Sequence, residues 1–594
     1  MRPSFFVFWA GVLMLAASLL GSEPYFCWGG LVLLLVPIFA TPGQRLPINA
    51  LSVGVILFCA LLLANALLYS PHYSVYGVYR PVVLFGGFAA AAMLDGEGRE
   101  RLLRSGTALL SLLVLFGLLQ VLSGFWPYEL DAARAAASFA TPNTFATAIN
   151  LILLPLLALA LAARGGPWIR AATFWLFAGL MSTESRGGWI AFLAGLLFIV
   201  HFLGLPKARA ERLRWLGIAA GLAATACLYY AMKALVPLLA QTPARGSLLG
   251  LVVEDMVGRG TSYRLDIAAV TLGQIAEHPL AGAGANTFWP LYEMAKPPEL
   301  DMGSTFPFAH NDYLQTWLEY GLAGIVLLVA LAAIAAGIAL KERRGRVADP
   351  VPLACGAALA GAFVQALVDF PLYVPFPVTV LGAWLGVLAA HAGDARWAVN
   401  WAGRLRERIG ILKTPLLSGA IAVAAFIWLA QPVIAYFADR HALAELFAGR
   451  PREALYWQSV ARRMEPLSGM RYWEEGVTWR DQALATGNRD FAARADAMFA
   501  EGMRADPYDV NNFVERAQLQ RQHPELFERP APPAQILEWS ARAMKLRPYQ
   551  LSVRADYARS LARAGRGAEA MRIARALVSE HPESRLARRL AEEL

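Results

Sequence analysis

The chain has 594 residues, 57% of them hydrophobic and only 16% charged, with mean hydropathy +0.44 and a formal net charge of +9 at pH 7. Apolar runs of about 17–25 residues recur, long enough to cross a bilayer, and they exclude a purely soluble chain. The four cysteines, Cys27, Cys59, Cys227 and Cys355, lie in apolar runs without a CxxC pair. They read as small core hydrophobes, not as zinc ligands or a disulfide framework.

The N-terminal MRPSFFVFWAGVLMLAASLLG resembles a signal peptide, but a second apolar run follows at once, so it reads as a retained first span. Spans are predicted near 4–21, 25–41, 47–69, 75–94, 103–125, 144–163, 168–182, 188–204, 214–240, 311–340, 351–369, 372–391 and 415–437. With the N-terminus inside, the inner segments collect Arg2, Arg45, Arg164, Arg170 and the basic clusters at 99–104, 207–214, 341–346 and 404–413. The short outer loops keep chiefly Arg134 and Arg186, the bias expected of membrane topology. Much of the positive charge is thus topological, and no nucleic-acid partner is expected. The expected fold is all-α: a polytopic membrane bundle over 1–437, with an outer loop at 241–310 between its ninth and tenth spans, and a soluble helical region over 438–594.

Within 438–594, Pro466, Pro507, Pro548 and Pro582 are spaced 41, 41 and 34 residues apart in an Ala-, Arg- and Glu-rich helical pattern. A proline closing each helix pair resembles tetratricopeptide repeats, whose stacked pairs make concave binding surfaces. A protein partner or the acceptor is the expected occupant. An irregular helical bundle is the alternative.

Charged groups near spans mark functional sites or snorkel to the interface. Arg186, in STESRGGWIAFLAG, lies on the outer side, where Gly187 and Gly188 would let a substrate reach the backbone. A capping or snorkelling arginine is the alternative. Arg264 falls in the first turn of a helix with Leu265, Ala268, Ala269, Leu272 and Ile275 on its apolar face and Ser262 or Thr261 as cap. A cation there is disfavoured by the helix dipole unless an anion joins it, or unless it pairs with Asp266 or Glu254. GAGAN (282–286) lacks dinucleotide-binding spacing and reads as a turn.

In AHNDYLQTWLEYGLAG (309–324), Asp312 and Gln315 have capping-box spacing, with Asp312 as the predicted N-cap. His310 and Asn311 precede that helix at the outer boundary. Histidine serves as base or acid near neutral pH. One base and two arginines on a single face suit transfer from a diphosphate leaving group. The arginines would hold the phosphates and His310 would take a hydroxyl proton. No cluster of metal-ligating residues stands out, and neither metal nor cofactor is expected.

The segments at 138–157, 182–195, 263–288, 309–328 and 368–388 resemble the O-antigen ligase superfamily, which includes O-antigen polymerases and pilin O-oligosaccharyltransferases. The resemblance covers roughly 138–390. It implies a metal-independent, inverting glycosyltransferase of the GT-C type in the bacterial inner membrane, with its active face and the 438–594 region periplasmic. The donor would be an undecaprenyl diphosphate-linked glycan, and the acceptor a lipid, glycan or protein hydroxyl. By the same resemblance His310 is catalytic, Arg186 and Arg264 bind diphosphate, and Asn143 lies near the site. Asn311 and Arg80 are possible neighbours. The extra helical region departs from a simple lipopolysaccharide ligase and leaves the acceptor open. A lipid-linked glycan transporter would instead place ionisable groups near the midplane. A scaffold would need far fewer spans.

Overall fold

The structure is a computed structural model describing residues 46–123, 134–139, 141–239, 262–300, 306–341, 350–395 and 415–594. The spans predicted at 4–21 and 25–41, Cys27, Glu254, Thr261 and the 241–261 and 301–305 parts of the outer loop lie outside the described residues. The described chain is a polytopic membrane helical bundle followed by short helical hairpins, with no strand among the described residues.

The bundle helices are α1 (Ala50–Ala64), α2 (Val75–Met93), α3 (Gly96–Ser123), α4 (Pro142–Leu161), α5 (Pro167–Thr183), α6 (Arg186–Leu203) and α7 (Arg209–Leu239). The next are α8 (Ser262–Glu277), α9 (Phe288–Ala295), α10 (Asp312–Lys341), α11 (Val351–Gln365), α12 (Pro375–Ala392) and α13 (Pro415–Phe447). Eight helices among the described residues are long and apolar enough to cross a membrane: α1 with its π-helical extension, α2, α3, α4, α6, α7, α10 and α12. The helices at two further predicted spans, α5 and α11, are shorter, 17 and 15 residues. Helix α13 runs without a break through position 437.

Helix α4 is the hub, buried along almost its whole length and packed by α5, α6 and α11. Helices α2 and α12 touch backbone to backbone. A Cβ at Gly87 would lie 2.2 Å from the Thr379 carbonyl oxygen, one at Gly382 2.2 Å from that of Leu84, and one at Gly386 2.1 Å from that of Phe88. Glycines four apart on α12 permit this approach, which gains dispersion contacts where lipid supplies no hydrophobic drive. The contact sets Arg80, in the first half of α2, against Tyr373, just before α12.

Helix α10 is broken at Gly321, whose φ of 66° suits glycine. The freed Leu318 and Glu319 carbonyls accept from Ala283 N (2.7 Å) and Gly284 N (3.0 Å). The 282–286 segment is therefore a turn stitched into α10. Cys59 and Cys355 are buried, as expected, but Cys227 is exposed. It lies on α7, which packs at the bundle's edge chiefly on α5 and turns most of its surface outward. An apolar run on a peripheral span need not be core.

After α13 come α14 (Pro451–Met464), α15 (Gly469–Thr486), α16 (Arg489–Ala505), α17 (Val510–Gln522), α18 (Pro533–Leu546), α19 (Leu551–Arg563), α20 (Gly567–Glu580) and α21 (Arg585–Glu593). The four prolines occupy equivalent turns between α14 and α15, α16 and α17, α18 and α19, and α20 and α21. Each helix stops at the residue before its proline: Glu465, Asp506, Arg547 and His581 have φ between −124° and −140° and ψ between 65° and 96°. Steric conflict with the proline ring drives that residue out of the helical region. Small residues such as Ala555, Ala558, Ala570 and Ala574 let α19 and α20 pack closely.

Candidate functional site

The starts of α4, α6 and α10 meet the 366–374 turn at one end of the bundle. Arg99 and Arg104 near the start of α3, Arg164 between α4 and α5, and Arg170 near the start of α5 lie at the opposite end. The N-cap of α10 is Asn311, not the predicted Asp312. Asn311 Oδ1 accepts from Tyr313 N (3.1 Å) and Leu314 N (3.0 Å), while its Nδ2 donates to Leu367 O (3.0 Å). Asp312 lies one residue inside the helix and is fully buried. Its backbone N–H donates to Ala366 O (2.8 Å), and its Oδ2 accepts from Leu372 N (2.8 Å). Gln315 does not close a capping box either. Its Oε1 accepts from Ala309 N (2.9 Å) and its Nε2 donates to Glu319 Oε1 (3.0 Å). These bonds fasten the chain on both sides of His310 to α10 and to the 366–372 turn.

That fastening determines what His310 faces. Its φ is 51°, a left-handed conformation costing a β-carbon residue roughly 1–3 kcal/mol, held here by its surroundings. Its Nδ1 lies 3.5 Å from Asp369 Oδ1, within ion-pair range but without hydrogen-bond geometry. Its ring meets Phe370 edge-on at 5.0 Å between centroids. Asp369 is 2% exposed, and neither carboxylate oxygen makes a hydrogen bond among the described residues. A buried unpaired polar group costs about 1–3 kcal/mol, more when charged. With Nδ1 turned to Asp369, the Nε2 edge is the side left for a reacting group.

Arg186 opens α6 and is half-buried. The cap of that helix is Ser185, whose Oγ accepts from Gly188 N (3.0 Å) and donates to Asn143 Oδ1 (2.8 Å). Asn143 Oδ1 also accepts from Arg134 Nη2 (3.2 Å), and Arg134 Nε donates to Thr183 O (3.0 Å). Gln365 Nε2 reaches Asn143 O at 3.4 Å. A methyl group on Gly187 would sit 3.7 Å from Asp369 Oδ2, so the first turn of α6 abuts the His310–Asp369 pair. Gly188 serves packing instead of substrate approach: a Cβ there would lie 2.6 Å from Ala146 Cβ on α4.

Arg264 lies in the first turn of α8, half-buried, with no hydrogen bond or ion pair among the described residues, including with Asp266. One turn further on, Ile267 joins the cluster that contains Ala309, the neighbour of His310. Arg80 is not beside His310. It is 5% exposed, with its guanidinium 3.7 Å from the centroid of the Tyr373 ring and 5.6 Å from that of Tyr320. Tyr373 donates to Glu319 Oε2 (2.9 Å). Burial pushes the Tyr373 phenol well above its usual pKa, against the pull of Arg80, and keeps it a donor. Phe308, stacked 4.4 Å from Phe370, stands in the wall between the two groups.

The structure thus brings Arg186, Asn143, Asn311 and His310 together, with Arg264 on the adjoining helix and Arg80 behind an aromatic wall. Sequence reasoning missed Asp369 and gave Arg134 only a topological role. Asp369 carried a signal: it is the one acidic residue in the apolar stretch 351–392. Among the described residues, no group of three or more His, Cys, Asp or Glu side chains is placed to hold a metal ion.

Fold and site define a polytopic membrane protein with a histidine–carboxylate pair and helix N-termini gathered at one end. Residues 171–329 match the family described as O-antigen ligase, a stretch that holds Arg186, Arg264 and His310. The chain is also similar to an O-antigen ligase of Pseudomonas aeruginosa, 30% identical over 176 residues. That match covers 29% of this chain and 41% of the relative.

Proposed function

We propose that the chain is an integral-membrane glycosyltransferase of the O-antigen ligase type. It transfers a glycan from undecaprenyl diphosphate to an acceptor hydroxyl on the periplasmic face. The observation that carries this is the placement of His310 Nδ1 3.5 Å from the Asp369 carboxylate, which makes no hydrogen bond among the described residues, against the N-terminal turn that begins with Arg186. The family match over 171–329 supports the same chemistry.

In this reading the acceptor oxygen attacks the anomeric carbon as its proton passes to His310 Nε2. The bond from that carbon to the diphosphate oxygen breaks, and undecaprenyl diphosphate leaves with the electron pair. Asp369 orients the ring and stabilises the imidazolium. Arg186, Arg264 and the N-terminus of α6 offset the charge that grows on the diphosphate. Asn143 and Arg134 hold the loop that presents Arg186. Attack opposite the leaving group inverts the anomeric centre, and no metal is invoked. The 438–594 hairpins are read as a periplasmic, tetratricopeptide-like region. A polymerase or pilin O-oligosaccharyltransferase would use the same site with another acceptor.

The test is His310→Ala in cells lacking the native gene, with membrane insertion verified by fractionation and glycan transfer read by gel profile. The expected result is loss of transfer from a normally inserted chain. Normal transfer would overturn the assignment. The deficient product, whether unmodified lipid core, short polymer or bare pilin, identifies the acceptor.

A further inference from the structure

A cavity of about 1090 Å³ lies between the bundle end and the 438–594 hairpins. That is at or above the upper end of typical ligand sites, about 300–1,000 Å³. The hairpins face it with their proline turns, not with a groove between helices. All four residues that precede those prolines, Glu465, Asp506, Arg547 and His581, line it, as do Tyr508 and Tyr549, which follow two of them. The bundle contributes Tyr73, Arg80, Trp289, Phe308, Tyr320 and Tyr373.

Two features of this lining point to one ligand class. The first is charge balance. Glu465 pairs with Arg471 (2.8 Å), Asp506 with His72 (2.8 Å) and Glu293 with Lys296 (3.2 Å), while Arg547 lies over the Trp289 ring at 4.5 Å. Such a lining offers many hydrogen-bonding groups but little net field, which suits neither a polyanion nor an acyl chain. The second is the combination of aromatic faces with unused donors. Among the described residues, neither terminal nitrogen of Arg80 nor the indole nitrogen of Trp289 finds a hydrogen-bond partner, although all three atoms are buried. Sugar rings match this: apolar C–H faces for the aromatic rings, and hydroxyls for buried donors and paired carboxylates.

We propose that this cavity is an oligosaccharide-binding site, roofed by the proline turns of the hairpins, with Arg80 and Trp289 as its principal hydrogen-bond donors. Phe308 links it to the reaction site, since it lines the cavity and stacks on Phe370, which touches the His310 ring. That the bound sugar chain takes part in transfer rests on the function proposed above; that the cavity binds sugar does not. The chain could belong to the donor or to the acceptor.

The test uses the full-length protein in lipid nanodiscs and calorimetric titration with two probes: free glycan released from the cell's lipid-linked donor, and free glycan released from its lipid core. Binding of one probe and not the other assigns the source. Tyr549→Ala removes a half-buried aromatic face, and Gln550→Trp fills the cavity from an exposed turn position. Tyr549→Ala should weaken binding about 2- to 10-fold, and Gln550→Trp should reduce it further, while His310→Ala leaves it unchanged. No heat with either glycan, or equal binding by both cavity variants, would overturn the proposal. So would binding of an acceptor-protein peptide in the absence of any glycan binding. If His310→Ala retained transfer while the cavity variants lost sugar binding, the reaction assignment would fail and the binding site would stand.

Discussion

The hairpin region and the bundle end treat buried polarity in opposite ways. In the hairpins, several buried charges are matched within the region, although Asp506 pairs with His72 of the bundle. Arg462 pairs with Glu475 (2.7 Å), Arg516 makes a two-pronged pair with Asp496 (3.0 Å each), and Arg521 pairs with Asp556 while also donating to Ser560 (2.8 Å). At the bundle end, Arg80, Asp369 and His310 keep buried atoms that no protein group satisfies among the described residues. A low-dielectric interior penalises such atoms, so they persist where a ligand completes them. Charges with their hydrogen bonds made therefore mark a framework, and buried atoms left without one mark where substrate is expected.

The sharpest way to break this contrast is to change a side chain at the bundle end and see no effect. His310→Ala should lower transfer about 10²- to 10⁴-fold in a membrane assay. Asp369→Asn should also lower it strongly. The double variant should be no worse than His310→Ala alone, because residues acting as one unit are not additive. Additive losses would show that Asp369 acts independently of His310. Arg186→Ala should cost about 10²- to 10³-fold in turnover, the range for removing one group that stabilises developing charge. Removing a matched charge, as in Arg516→Ala, should leave turnover near the parent value and lower thermal stability instead.

The framework can be broken as well. Gly386→Val places a branched side chain where even a Cβ would lie 2.1 Å from the Phe88 carbonyl oxygen. Overpacking of this kind costs about 1–3 kcal/mol. It should lower the melting temperature and also shift Arg80 relative to Tyr373, since α2 and α12 carry or flank them. Unchanged melting would show that the helices do not need this close approach.

Local patterns were legible in the sequence wherever one element suffices to state them. The apolar runs located α1–α7 and α10–α13, although α3 begins at Gly96 before its predicted span and α13 runs to Phe447 beyond its own, and the four prolines marked four equivalent turns. That His310 and Arg186 stand at the ends of spans was legible from the apolar runs, while their proposed roles drew on the family resemblance. What stayed hidden depends on contacts between distant segments. Asp369 meets His310 only because Asn311 and Asp312 bind the 366–372 turn, about 55–60 residues further along the chain. The capping box failed for the same reason: spacing allowed Asp312 as the cap, but its carboxylate is used by Leu372 N, which leaves the cap to Asn311. Cys227 and Gly188 differ from expectation because exposure and close approach are properties of the packed bundle.

The smallest effect probes the roof of the cavity. Asp509 caps α17 by accepting from Asn511 N (2.9 Å), and it lines the cavity beside Asp506. Burial is the main cause that raises its pKa from 3.8 to about 6, and the Asp506 charge adds to it, while the bond from Asn511 opposes it. Between those values the folded chain holds a proton that the unfolded chain has released. Stability from this group therefore falls as pH rises through that window, and is level below 3.8 and above about 6. Asn at this position keeps the cap without the charge. Asp509→Asn should therefore gain on the parent as pH rises from about 4 to about 6.5, by about 2–4 °C in melting temperature, and the difference should then level off. Parallel curves across that range would mean that Asp509 stays solvated and that the turns do not close over the cavity. A glycan that binds there should enlarge the difference by burying the carboxylate further, which ties the pH response of the roof to occupancy of the space beneath it.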